Sequence, residues 1–249
     1  GGELIAECLK TDHKTIREVD SLLVMDKREL TEYSSEIYRR GLKIMKELEK
    51  ERSISFPDPE LDAAVRIAAG KPDGDLTDKD LKKLKVLNAS RRNITSLQGI
   101  GRLVSLREIH LMGNRIVALD GLEELEGLQV VNLSHNRISD IKCLAKLKNL
   151  RRLYLGRNQI SDLTPLSELA GLKDLVLSYN TIEDVQGLAG LRQLEELHLS
   201  GNKLRELRGL NRLKKLRVLS LSGNQIRGIK DLIGLKSLEK LWLSKNQIS

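Results

Sequence analysis

The chain has 249 residues, 40% hydrophobic, 31% charged and only 2% aromatic, so it can bury a core, but one of Leu and Ile rather than rings. The net charge is +8, and residues 1–55 hold 11 Lys/Arg against 12 Asp/Glu, so the basic excess belongs entirely to the later part. Two cysteines, Cys8 and Cys143, exclude a disulfide framework and a cysteine-rich metal site, and no run reaches the roughly 18 apolar residues of a membrane span.

Residues 1–52 read as a helical segment of unassigned role. Leu30, Tyr33, Ile37, Gly41, Ile44 and Leu48 recur at helical spacing and mark one face of a single helix. Ile16, Val19, Leu22 and Leu23 suggest another before it. Such helices either pack on themselves or on the cap, or serve for dimerisation or for docking a partner. Residues 1–25 mix acids and bases and contain no signal peptide. The location is left open: cytoplasmic if the start is native, secreted or at the cell surface if a leader has been removed.

Residues 53–80 are expected to form a helical cap. Pro59 to Ala69 reads as a short helix, with Leu61, Ala64, Val65 and Ala68 on one side and Gly70 as its stop. Thr77 and Asp80 have the spacing of a capping box opening a second short helix.

From residue 81 a 22-residue period takes over. Leu81, Leu103, Leu125, Leu147, Leu169, Leu191, Leu213 and Leu235 keep it without a break. The unit reads LxxLxxLxLxxNxIxxLxxLxx, in seven full copies and one partial copy over 81–249. Its Leu-x-Leu has the period of a strand with one buried face. A single turn of this size cannot bury its own apolar side, so the turns must stack. Asn114, Asn136, Asn158, Asn180, Asn202, Asn224 and Asn246 then fall one above another, and a buried amide requires hydrogen-bond partners. They are expected to form a structural ladder. The first copy has Arg92 in place of the Asn and Ala89 in place of the second strand Leu. The predicted fold is an α/β solenoid: a curved leucine-rich-repeat stack with a parallel concave sheet and a helical N-terminal cap.

The cap and repeat together resemble a known family. The Phe56-Pro57-Asp58 segment, the Gly70-to-Thr77 turn and Leu87 to Leu97 are similar to the cap and first repeat of bacterial internalin-type proteins. Ile160 to Leu166 is similar to the internalin convex segment. The leucine-rich regulator of protein phosphatase 1 has a similar period, but the cap favours the bacterial group. The resemblance spans residues 54–249 and implies a binding scaffold, with surface adhesion as one form of it.

Function is expected on the inner surface, where strand residues alternate outward. Past Phe56 the only aromatics are Tyr154, Tyr179 and Trp242, all on this surface, with His110, His135 and His198. Tyr, Trp and Arg are the types that anchor interfaces. The candidate contact set is Arg152, Tyr154, Arg157, Asp174, Val176, Tyr179, Glu196, His198, His110 and Trp242. Mixed charge there favours a protein partner and disfavours nucleic acid; a basic solenoid holding nucleic acid or a surface polysaccharide is the alternative. No metal site is expected, since His110 and His198 lie four strands, about 19 Å, apart. No cofactor is expected either. No nucleophile, zinc or phosphate-loop motif is present, so the chain reads as a non-enzyme. The last copy stops partway through a repeat and leaves Leu241 and Ile248 for another copy or further chain to cover.

Overall fold

The computed structural model describes residues 39–40 and 54–249. The chain divides into two units at Arg52/Ser53, and the account that follows concerns the second. Residues 39–40 are helical; the rest of the helical segment expected over 1–52 lies outside the described residues.

The cap opens with helix α1, Pro59–Ala68. Proline at its first position has no N–H to leave unpaired. Asp58 is the N-cap, and its Oδ1 accepts from the backbone N–H of Glu60 and Leu61, both at 3.1 Å. Leu61, Ala64 and Val65 face inward and are buried. The helix ends one residue short of the expected Ala69, and Gly70 follows with φ +69°. A second helix, α2, spans Asp78–Leu81. At its start both the backbone N–H and the hydroxyl of Thr77 donate to Asp80 Oδ2, at 3.1 and 2.6 Å.

Eight strands follow at the predicted period: β1 Val86–Asn88, β2 Glu108–His110, β3 Val130–Asn132, β4 Arg152–Tyr154, β5 Asp174–Val176, β6 Glu196–His198, β7 Val218–Ser220 and β8 Lys240–Trp242. They form one open parallel sheet in chain order. Each residue pairs with the one 22 positions on, as Arg152 does with Asp174 and Asp174 with Glu196. The central residue of each strand from Leu87 to Leu219 is buried, and its two neighbours face outward. Across the stack the return path runs through short 3-10 turns, such as Thr164–Leu166 and Gln186–Leu188. A single 3-10 turn is narrower than an α-helix and lets repeats this short close.

The Asn column sits where each strand turns inward. Asn158 Nδ2 donates to Leu133 O and Leu155 O, both at 3.0 Å, and its Oδ1 accepts from Ile138 N at 3.0 Å. Asn136, Asn180, Asn202, Asn224 and Asn246 repeat this scheme. Each Asn thus bonds its own turn and the preceding one. Asn114 does so for the first repeat, where its Oδ1 takes both Arg92 N and Ile94 N. This explains the missing Asn at 92: no earlier repeat stands behind it to be bonded.

The residue before each rung makes the turn itself. Arg91, Gly113, His135, Arg157, Tyr179, Gly201, Gly223 and Lys245 all have φ between 55° and 73°. Glycine adopts this left-handed geometry freely, whereas a side chain there costs roughly 1–2 kcal/mol. Three repeats use glycine, so the turn does not itself require the larger residues. On the last turn Leu241 and Ile248 are 39% and 42% exposed. Among the described residues no helix is long and apolar enough to cross a membrane.

Candidate concave binding site

The exposed face of the sheet is built by the residues flanking each buried strand centre. On β4, β5 and β6 the sheet register sets Arg152, Asp174 and Glu196 in one row and Tyr154, Val176 and His198 in the next. Arg152 Nε approaches Asp174 Oδ2 at 3.4 Å, across adjacent strands. Burial pushes the Asp174 carboxyl above its ordinary value, and Glu196 pushes it further, against the pull of Arg152. Burial also raises the Tyr154 hydroxyl, with Asp174 adding to it. Two carboxylates on neighbouring strands, with a single arginine beside them, leave an acidic spot suited to a partner's cation.

Above these rows lies the turn column. The Arg157 guanidinium stacks 4.4 Å from the centre of the Tyr179 ring. The other side of that ring rests against Gly201: a Cβ built there would fall 2.6 Å from Tyr179 Cδ1. Tyr179 is held between the two and is still 54% exposed. An aromatic fixed in advance and open to solvent loses little entropy when it is covered.

Eight of the candidate residues therefore gather on three adjacent strands and their turns. His110, on β2, and Trp242, on β8, are each two strands away from this group, about 10 Å at the usual strand spacing. Trp242 is 44% exposed. His110 and His198 each sit beside a glutamate of their own strand, Nε2 to Oε2 at 3.6 Å from Glu108 and 3.9 Å from Glu196. Among the described residues no group of three His, Cys, Asp or Glu is placed to hold a metal ion. Cys143, in an outer 3-10 turn, is half-buried, and burial pushes its thiol up to about 12. It packs against the core, and a raised thiol pKa disfavours the reactive thiolate. Arg115 and Arg137, just past the turn column, are exposed and were not among the candidates. Their signal in the sequence is the lack of any carboxylate near them in register.

A parallel sheet built on a 22-residue leucine period, with a preset aromatic and mixed charge on its exposed face, is that of a leucine-rich-repeat scaffold, an interaction or adhesion module. The family model for leucine-rich repeats in two copies matches residues 126–168, 171–212 and 214–249. Internalin C2 of Listeria monocytogenes has a similar solved structure, with 35% identity and a TM-score of 0.76, over 78% of this chain and 87% of that one. Internalin InlF of the same species shows 28% identity and a TM-score of 0.66, over 78% of this chain and 64% of that one. A leucine-rich-repeat protein of Leptospira interrogans shows 28% identity and a TM-score of 0.58, over 70% and 52%. No match was found among curated proteins compared by sequence. The chain belongs to the internalin-type leucine-rich-repeat proteins.

Proposed function

We propose that the chain binds a protein partner on its concave sheet, through the patch on β4 to β6. The observation that carries this reading is the packing of Tyr179 between Arg157 and Gly201, one strand from Tyr154 and beside the Arg152, Asp174 and Glu196 row. Large residues stand in this left-handed column where glycine serves equally well, and strain kept at a surface is characteristic of functional sites. Val176 and His198 complete the patch, with His110 and Trp242 as outlying contacts. The mixed charge suits a protein surface better than a uniform polyanion. Surface adhesion, as the internalin likeness suggests, is one form this binding takes.

Affinity capture with the intact chain and with the Arg152→Ala/Tyr154→Ala/Tyr179→Ala variant tests this. Interface anchors of these types each contribute about 2 kcal/mol or more, so the variant is expected to lose a partner that the intact chain recovers. Equal recovery of every bound protein overturns the patch.

A further inference from the structure

One edge of the solenoid collects cations and excludes carboxylates. Across all eight repeats, the four positions from the last strand-side residue through the turn and the Asn rung to the residue after it contain no Asp or Glu. In the first four repeats the same stretch holds Arg91, Arg92, Arg115, Arg137 and Arg157, with His135 among them. All but Arg92 are exposed. Among the described residues the side chains of Arg91, Arg92, Arg115 and Arg137 make no ion pair and no hydrogen bond. Arg157 has only the Tyr179 ring.

The opposite edge meets the same problem and relieves part of it. A repeat period stacks equivalent residues on neighbouring turns, so like charges at one position repel unless they alternate or are paired. There Lys173 meets Glu195 at 2.9 Å and Arg217 meets Glu239 at 2.8 Å, each pair 22 residues apart. Arg107 donates to Gly127 O and Arg151 to Gly171 O, both at 3.1 Å. Lys148 pairs with Glu168 at 2.6 Å. That edge is cationic too, but it ties these side chains to carboxylates or carbonyls of the next turn, whereas the turn edge leaves its guanidinium groups for something outside the unit.

We propose that this arginine edge, over the first four repeats, binds a short acidic segment of a protein partner. The inference rests on the reading of the chain as a protein-binding module and names a second part of its contact surface. The edge runs directly into the concave patch through Arg157, so a partner seated on that patch can lay an acidic strand along the turns. Four repeats span about 14 Å, the length of four or five extended residues. Guanidinium groups bind carboxylates in two-pronged pairs, which an array of lysines does not. Nucleic acid fits less well. The ring at the end of the edge, Tyr179, already carries the Arg157 guanidinium, and no Phe, Trp or second Tyr stands in the turn column to stack successive bases. A duplex spilling onto the sheet would also meet Glu108, Asp174 and Glu196.

The test uses the full chain and fluorescein-labelled deca-glutamate, read by anisotropy at low salt. Arg115→Gln/Arg137→Gln removes two charges from the edge; Lys214→Gln/Lys215→Gln removes two from the opposite edge. Unchanged urea midpoints for both variants verify folding. The first variant is expected to weaken binding by about tenfold or more, and the second by less than about twofold. Equal weakening, or no binding by the intact chain, overturns the proposal. So does tighter binding of labelled heparin hexasaccharide or a 12-base-pair DNA duplex through the same two arginines, since the partner's class would then be wrong. Arg152, Tyr154 and Tyr179 remain in both variants. Failure of the concave patch appears only in the capture experiment, and failure of the edge only here.

Discussion

The carboxylate of Asp58 joins two parts of the molecule that are distant in sequence: its Oδ2 accepts from both the backbone N–H and the hydroxyl of Thr95, 37 residues on, at 2.8 and 3.0 Å. The same oxygen accepts from Ser96 N at 3.1 Å, while Oδ1 caps α1. One buried side chain thus locks the cap onto the first repeat. Asp58→Ala removes a helix cap and strands buried donors, which together cost about 3 kcal/mol. Asp58→Asn is expected to recover little of that, about 1 kcal/mol at most. Whichever way the amide is turned, its NH2 faces donors on one side. Urea unfolding measures this; an Asn variant as stable as the parent would show that the second oxygen is dispensable.

Acid should loosen the same cap. Burial works to raise the Asp58 carboxyl, but hydrogen bonds from Thr95, Leu61 and Ser96 outweigh it and hold the group below its ordinary 3.8. Asp80 is held at about 2, first by Lys71 Nζ at 2.8 Å and then by Thr77. A carboxyl lowered in the folded state takes up its proton more readily when unfolded, so falling pH favours unfolding. Their contribution is complete above about pH 4 and fades as pH drops toward 2. The gap in urea midpoint between the parent and Asp58→Asn/Asp80→Asn should be wide at pH 7 and narrow steadily below pH 4. A gap independent of pH would assign the stabilisation to packing instead.

The Asn ladder makes a graded prediction. At Asn158, 9% exposed, replacement by Ala leaves Ile138 N–H unpaired inside the stack and takes one of two hydrogen bonds from each of the carbonyls of Leu133 and Leu155, which keep Asn136 and Asn180. That costs about 3 kcal/mol or more. Asn158→Asp is expected to be as harmful, because a carboxylate cannot donate to the carbonyls of Leu133 and Leu155. Asn246 makes the corresponding bonds but is only half-buried, so water can replace them. Asn246→Ala should cost about 1 kcal/mol. Thermal or urea unfolding of the three variants checks the order, and equal losses at 158 and 246 would contradict it.

The Asn register was legible in the sequence because a fixed period of 22 leaves each Asn only one place to stand. The eight strands and their buried centres followed from the same period, and the cap helix from Pro59 and the run Leu61, Ala64 and Val65. The left-handed backbone before each rung was not legible. That column contains Arg, Gly, His, Tyr and Lys, a mixture with no side-chain property in common, so only the three glycines hinted at it. Asp58 was hidden for another reason. Its position before Pro59 signals an N-cap, but nothing in the order of residues indicates that its second oxygen reaches Thr95. The patch was legible as a set of residues; the seating of Tyr179 was not, since it depends on Gly201 in the next repeat.

That seating separates two glycines that otherwise look alike. Gly201 and Gly223 occupy the same repeat position with the same φ of +70°. A Cβ at Gly223 meets nothing nearer than Gly201 N at 3.6 Å, so Gly223→Ala bears only the left-handed strain, about 1 kcal/mol. A Cβ at Gly201 falls 2.6 Å from Tyr179 Cδ1 and must push the ring away. Gly201→Ala therefore adds steric cost, for a total of about 2–3 kcal/mol, and breaks the stack with Arg157. Tyr179→Ala should remove most of the excess at 201 and leave the cost at 223 unchanged, which a double-mutant cycle by urea unfolding reads directly. The same variant links stability to binding. Gly201→Ala should weaken capture of any partner lost by the Arg152→Ala/Tyr154→Ala/Tyr179→Ala variant, whereas Gly223→Ala should not. A Gly201→Ala chain that still captures that partner in full would show that the fixed position of Tyr179 plays no part in binding.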